Sequence, residues 1–83
     1  MTSTTLTVNP PSSSNGTGWV DVDVSSTPLA GVQPGTPVVI NPTDKNINLS
    51  SGGLIQAFVS AADTISFGVK LLNAPVDLLV SVP

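Results

Sequence analysis

The chain has 83 residues and a formal net charge of −3, and it lacks His, Cys, Glu, Arg and Tyr. Its two lysines cannot form the basic surface that binding to a phosphate backbone requires, so we expect no nucleic-acid partner. Without cysteine there is no disulfide and no thiolate zinc site. Small chains without such staples often gain buried surface by oligomerising. We therefore expect a homo-oligomer, or docking onto a larger assembly, rather than a free monomer, and among homo-oligomers we favour a trimer.

The first 17 residues are predicted to form an extended or flexible arm. A short strand with Leu6 and Val8 on one side is followed by Pro10 and Pro11, which fix an extended backbone. The polar linker S-S-S-N-G-T-G comes next. Two interpretations stay open: a disordered tail, or an arm that adds a strand to a neighbouring subunit with Leu6 and Val8 as anchors. Residues 18–83 are predicted to form a single β domain.

The first strand of that domain is predicted at 18–25, G-W-V-D-V-D-V-S, because its valines alternate with Trp19, Asp21 and Asp23. If the valines fill the core, Trp19 lies on the polar side or at the start of the strand. An exposed Trp is a candidate hot spot of a subunit contact. Capping the end of the core and stacking against a sugar are two further interpretations of Trp19.

Proline and glycine divide the middle of the chain into short elements. Pro34-Gly35 suits the two central positions of a type II turn. A short strand follows at 36–41, where Pro37 fits a strand start or an edge. The sequence then predicts a turn at 42–45, a brief strand at 46–49 and another turn at 50–53.

The clearest alternation is D-T-I-S-F-G-V-K-L-L at 63–72, which predicts the central strand. Its apolar side is expected to fill the core with Ile65, Phe67, Val69 and Leu71. Its other side is small and nearly uncharged, with Thr64, Ser66, Gly68 and Lys70. Gly68 leaves room for another group to approach closely, so Thr64, Ser66 and Gly68 are predicted to contact a partner. Residues 54–60 are more continuously apolar, as in a strand covered on both sides; one helical turn is the alternative, because seven residues do not settle the period. Residues 76–82 alternate as the last strand.

Short strands separated by Gly- and Pro-containing turns predict an all-β fold. No segment shows a capped helical period over ten residues. We expect a small β-sandwich, jelly-roll-like fold or compact barrel, preceded by the N-terminal arm.

The side chains offer little for catalysis, because the usual general acids and bases reduce to five Asp and two Lys. Asp63-Thr64 resembles the D-T-G of aspartic proteases, but Ile65 replaces the glycine. Ser66 and Lys70 would lie about 13 Å apart on one strand face, which is too far for a Ser-Lys pair. We expect no enzymatic activity.

Asp21 and Asp23 share one face of the predicted strand and could offer oxygens to Ca²⁺. No ligand-rich loop completes the six to eight ligands that Ca²⁺ takes, so a solvated acidic face is the plainer interpretation. We expect neither a metal nor a cofactor.

The first residues do not show the cationic and then apolar pattern of a signal peptide. No apolar run approaches the roughly 20 residues of a membrane span. We therefore expect synthesis in the cytoplasm and no membrane span.

Three stretches carry a resemblance to a known class of proteins. They are G-V-Q-P-G-T-P-V-V-I-N-P at 31–42, A-F-V-S-A-A-D-T-I-S-F at 57–67 and L-L-N-A-P-V-D at 71–77. With these stretches the chain resembles small β-rich structural proteins of phage virions. The resemblance implies a decoration, cement, spike or fibre-attachment protein that joins other virion proteins, and it carries no catalytic residue across. The alternative is a receptor- or glycan-binding module of a fibre or adhesin, with Trp19 as its platform.

Overall fold

The computed structural model describes residues 2–12, 16–42 and 55–83, and within them the chain forms six β-strands. They are β1 (Thr2–Val8), β2 (Gly18–Asp23), β3 (Val39–Pro42), β4 (Ile55–Ala61), β5 (Thr64–Val69) and β6 (Val76–Val82). They pair as two antiparallel sheets, in the orders β1-β6-β3 and β2-β5-β4. The predicted all-β class is confirmed. The predicted strand at 46–49 and turn at 50–53 lie outside the described residues.

The first sheet is built around β6, which has β1 on one side and β3 on the other. The apolar residues of β1 face those of β6: Leu6 lies opposite Leu78 and Val8 opposite Val76. All four side chains are buried. The pairing aligns the two-residue periods of both strands, which fixes their register.

The position of β1 differs from the predicted arm. Thr2–Val8 pairs along its whole length with β6 of its own chain, and Leu6 and Val8 are only 5% and 0% exposed. They contribute to this chain's own core rather than anchoring an arm on a neighbouring subunit. An extended arm would leave two apolar side chains and one edge of β6 in water, whereas pairing buries the side chains and satisfies the edge.

The second sheet has β5 at its centre, as the alternation of the sequence predicts. The antiparallel partners of β5 are β2 and β4. The inward residues lie in rows across the three strands: Val20–Phe67–Ala57 and Val22–Ile65–Val59. Ile65 and Phe67 are fully buried in these rows.

The inner sides of the two sheets share one hydrophobic core. Its largest fully buried side chains are Phe67, Ile65, Leu72 and Leu78. The other buried members are Leu6, Val8, Val24, Leu29, Val32, Val59, Val69, Val76 and Val80. Among the described residues, Phe67 is the one aromatic side chain in this core, so burial depends on many small aliphatic contacts.

The central strand is shorter than predicted at both ends. Asp63 lies in the turn before β5 with φ 61°, and Leu71 follows β5 with φ 66°. A left-handed residue breaks the two-residue alternation. Leu71, predicted to point inward, is therefore only partly buried, and Leu72 enters the core at 1% exposure.

Asp63 joins the loop between β2 and β3 to the turn between β4 and β5. Its N–H donates to the carbonyl of Val32 at 2.9 Å, and its carbonyl accepts from the N–H of Val24 at 2.8 Å. Its carboxylate Oδ1 accepts from the N–H of Gly31. Asp is one of the few residues that tolerate left-handed backbone. Asp63 therefore holds the loop in place with three hydrogen bonds.

The same loop contains the predicted type II turn at Pro34-Gly35. Gly35 has φ 89°, the positive value that the third residue of such a turn requires. The N–H of Thr36 donates to the carbonyl of Gln33 at 3.1 Å and closes the turn. This prediction is confirmed.

Candidate functional site

The outward side of the β2-β5-β4 sheet carries four of the six residues that the sequence predicts as contact residues. We call this side the aromatic face. Trp19, Gly68 and Gln56 form its first row across the three strands, and Asp21, Ser66 and Phe58 form its second. Thr64 continues the face opposite Asp23. The two-residue period that buries Ile65 and Phe67 places these residues on the outer side.

Trp19 and Phe58 form an exposed aromatic pair on this face. Their ring centroids lie 5.3 Å apart with the planes at 75°, an edge-to-face arrangement. Trp19 is 57% exposed and Phe58 49%. Because they belong to the two outer strands of the sheet, the contact bridges the central strand β5.

Gly68 makes this contact across β5 feasible. It lies directly opposite Trp19, and a Cβ atom at Gly68 would come within 2.6 Å of Cη2 and Cζ3 of the indole. No real Cβ contact is that short, so the six-membered ring of Trp19 occupies the space that a side chain at position 68 would fill. The predicted gap at Gly68 is therefore taken by a residue of the same chain.

Ser66 and Asp21 form the polar part of the aromatic face. The Ser66 hydroxyl donates to Asp21 Oδ1 at 2.5 Å, and Ser66 is only 5% exposed. A buried hydroxyl without a partner would be costly. No buried side-chain nitrogen or oxygen in the described part of the chain lacks a hydrogen-bond partner.

A groove of about 270 Å³ runs beside the Trp19 ring. It is lined by Trp19, Gln56 and Lys70, together with Thr17, Gly18, Gly68 and Val69. The groove therefore offers one aromatic surface, hydrogen-bonding groups and a positive charge. A second depression of about 290 Å³, between the loop at 28–36 and the ends of β1 and β6, is lined by uncharged residues.

Asp21 and Asp23 are both exposed on the outer side of β2. The backbone N–H of Ser25 donates to Asp23 Oδ1 at 2.8 Å, and this hydrogen bond lowers the pKa of Asp23 below its ordinary value. Asp21 is engaged with Ser66. Within residues 2–12, 16–42 and 55–83, no group of three or more acidic residues lies close enough to hold a metal ion.

In the comparison with known proteins, no family model, no curated protein and no solved structure matches the chain. Among the described residues there is also no helix of the length and apolar character needed to cross a membrane. The functional interpretation therefore depends on the aromatic face itself and on the sequence.

The structure brings Trp19, Thr64, Ser66 and Gly68 together on one face. The sequence alone could not show this, because Trp19 belongs to a different strand from the other three. Trp19 does not cap the core, because it is more than half exposed on the outer side of the sheet. Leu6, by contrast, is in the core and not on this face, and the same is true of Val8.

Phe58 is the main residue of the face that sequence reasoning missed. The apolar run at 54–60 predicts a strand covered on both sides, which would bury Phe58, but the Phe58 side chain is 49% exposed. The signal that was available is a two-residue period. Gln56, Phe58 and Ser60 are exposed, and they alternate with the more buried Ile55, Ala57 and Val59. A large aromatic residue in the polar register of a strand indicates an outward-facing aromatic site.

Proposed function

We propose that the chain is a structural component of a virus particle that acts by assembly, with the aromatic face as its contact surface. The observation that carries the proposal is the Trp19–Phe58 pair, two large aromatic side chains about half exposed and in contact with each other. Aromatic residues are enriched, and charged residues depleted, at the centres of protein interfaces. Catalysis is no part of the proposed role.

The aromatic pair is held in position before any partner binds. The indole is seated over Gly68, and its edge-to-face contact with Phe58 restricts the rotamers of both rings. A side chain that is already ordered loses less conformational entropy on binding. Preorganised aromatic anchors are typical of binding hot spots.

The virion setting comes from the resemblance of residues 31–42, 57–67 and 71–77 to small phage structural proteins. The stretch 57–67 contains Phe58, Thr64 and Ser66 of the aromatic face. We propose a small β-sandwich, made of two three-stranded sheets over one core, as the finer description of the fold. In the proposed role, the chain contacts further copies of itself, as a trimer, and other virion proteins in the particle.

The contact role is tested with Trp19→Ala and Phe58→Ala in sedimentation velocity over a range of concentrations. Removing an aromatic hot spot costs at least about 2 kcal/mol of binding free energy, so each variant is expected to weaken self-association by more than about tenfold. Val39→Ala is the matched control, because Val39 is also half exposed but lies on β3 of the other sheet. Wild-type association by both aromatic variants would refute the aromatic face as the contact surface.

The virion setting has a separate test. Purified particles of the virus whose genome encodes the chain are analysed by mass spectrometry. The chain should be detected at a fixed ratio to the major shell protein. Its absence from particles, together with normal self-association, would contradict the virion role and leave the contact surface standing.

A glycan-binding role is the alternative, and the groove beside Trp19 is the observation that favours it. The indole can stack on a sugar ring, and the Gln56 amide and Lys70 ammonium can hydrogen-bond to hydroxyl or carboxylate groups. Trp19 is the single tryptophan of the chain, so its fluorescence reports directly on this groove. A glycan that shifts this emission, and loses affinity in Gln56→Ala, would favour this alternative.

A further inference from the structure

Among the described residues, the two sheets have four edge strands: β1 and β3 in one sheet, and β2 and β4 in the other. Exposed edges invite pairing with another chain, and natural proteins protect them with charges, proline, bulges or very short strands. β2 carries Asp21 and Asp23. β3 has four residues and ends in Pro42. β4 has a register shift between Val59 and Ala61.

β1 has none of these protections. Its seven residues, T-S-T-T-L-T-V, include no charge and no proline, and its register with β6 runs without a shift from Thr2 to Val8. Within the described part of the chain, β1 is hydrogen-bonded to no strand except β6, although β2 of the other sheet also comes close to it. Its outer side is exposed at Ser3, Thr5 and Thr7.

We propose that the free edge of β1 pairs antiparallel with β1 of a second copy about a two-fold axis at Thr5. Two sheets of order β1-β6-β3 then join into one continuous six-stranded sheet. This contact is separate from the aromatic face, which belongs to the other sheet. The β1 contact therefore does not depend on the proposed role of the aromatic face.

The sequence of β1 favours a second copy as the occupant. A two-fold axis at Thr5, the middle residue of the strand, pairs all seven residues of β1 with β1 of the second copy. An axis at a neighbouring residue would pair fewer of them. On the outer side, Thr5 then faces Thr5 of the second copy, and Ser3 faces its Thr7. Hydroxyl pairs of this kind are favourable cross-strand neighbours. β1 has no charged side chain, so no like charges meet across the axis. The Thr7 hydroxyl already donates to Asp77 Oδ1 of its own chain at 2.6 Å, so in this pairing it would accept from Ser3 of the second copy.

The test uses the full chain and two opposite charges at the symmetry centre, Thr5→Lys and Thr5→Glu. In each variant, two like charges meet across the axis, so the two-fold contact should weaken by about tenfold or more. In an equimolar mixture, Lys meets Glu and association should return. Sedimentation velocity at matched concentrations measures the masses. Recovery in the mixture requires that position 5 of one copy lies near position 5 of the other.

Asn41→Lys is the matched control. Thr5 lies opposite Leu79 on β6, and Leu79 lies opposite Asn41 on β3, so position 41 is in the same row on the far edge of the same sheet. Both positions are exposed, so a general effect of an added lysine would appear in both variants. Circular dichroism and the unfolding midpoint check that each variant folds.

The outcomes separate this inference from the proposed function. If both contacts exist, Thr5→Lys stops assembly at the aromatic-face oligomer and Trp19→Ala stops it at the β1 dimer. A wild-type chain that stays monomeric at all concentrations refutes the β1 contact, and so does Thr5→Lys association equal to wild type. Failure of the charge mixture to recover association, after both single variants have lost it, also refutes the two-fold register at Thr5.

Discussion

Individual residues set the shape of the aromatic face, and Gly68 shows how a missing side chain can do this. Trp19 starts on the edge strand β2 and reaches Phe58 on the opposite edge strand β4. It can do so because nothing but hydrogen projects from Gly68 beneath its ring. A contact patch spanning three strands thus depends on the smallest residue in the row.

Gly68→Ala is expected to displace the Trp19 ring, because the new Cβ would lie 2.6 Å from two ring atoms. We expect a loss of about 1–3 kcal/mol in the free energy of unfolding, as for other overpacked sites, and a red shift of the emission of the single tryptophan. In a Trp19→Ala background, the same substitution should cost much less, since the ring is gone. Urea unfolding of the four proteins measures the coupling; additive effects would contradict the packing of Trp19 over Gly68.

Asp63 is the residue on which the loop between β2 and β3 depends. Asp63→Ala removes the carboxylate that accepts from Gly31 and places a less tolerant residue at φ 61°. We expect a loss of about 1–3 kcal/mol in the free energy of unfolding. Asp63→Asn keeps one oxygen acceptor and a residue type that tolerates this φ, so it should lose less than about 1 kcal/mol. Equal losses, measured by urea unfolding, would contradict the role of the side chain.

At the scale of elements, the sequence predicts strand interiors better than strand ends and pairing partners. Alternation in β5 and β6 indicates both the strands and their inward sides, because burial imposes a two-residue period. The sequence does not predict the ends of β5, because the left-handed residues at 63 and 71 are Asp and Leu, not the glycine that would signal a positive φ. The pairing of β1 with β6 is missed because the pairing of distant segments leaves no local signal. The aromatic face is only partly predictable from the sequence for the same reason. Phe58 comes next to Trp19 only when β2 and β4 have both paired with β5.

The junction between the start of β2 and the end of β5 shows how one backbone contact fixes two elements. The N–H of Leu72 donates to the carbonyl of Gly16 at 2.9 Å. Gly16 has φ 63°, and a Cβ there would lie 2.0 Å from the carbonyl oxygen of Leu72. The composition of 12–18 predicts a flexible linker, but its described end at Gly16 is closely packed.

Gly16→Ala is therefore expected to be more damaging than the matched substitution Gly31→Ala. Both glycines have positive φ, but a Cβ at Gly31 meets nothing within 4 Å. Gly31→Ala should cost about 1–2 kcal/mol from backbone strain alone, and Gly16→Ala should cost at least about 2 kcal/mol more because the backbone must also move. Urea unfolding midpoints compare the two; equal losses would contradict the close approach of Gly16 to Leu72.

For the whole molecule, the small core and the low charge favour association. The described core has one aromatic side chain, and the chain has no cysteine to staple it, so its stability margin is expected to be small. Few charges oppose contact between copies. In the proposed assembly, burying surface between copies would add to the stability of this small fold.

This coupling predicts that the thermal midpoint rises with protein concentration. Association that only the folded chain can make adds up to about 1.4 kcal/mol of stability for each tenfold rise in concentration above the dissociation constant. For a domain of this size, that upper limit corresponds to roughly 10 °C per decade, and a dimer reaches about half of it because its free monomer rises only with the square root of the total concentration. Trp19→Ala and Thr5→Lys should each reduce this slope, and the double variant should abolish it, because the two proposed contacts lie on different sheets. Differential scanning calorimetry over two decades of concentration measures the slopes. A slope that survives in the double variant would place the association on some other surface, whereas a flat profile for the wild-type chain would show that the fold is stable without a partner.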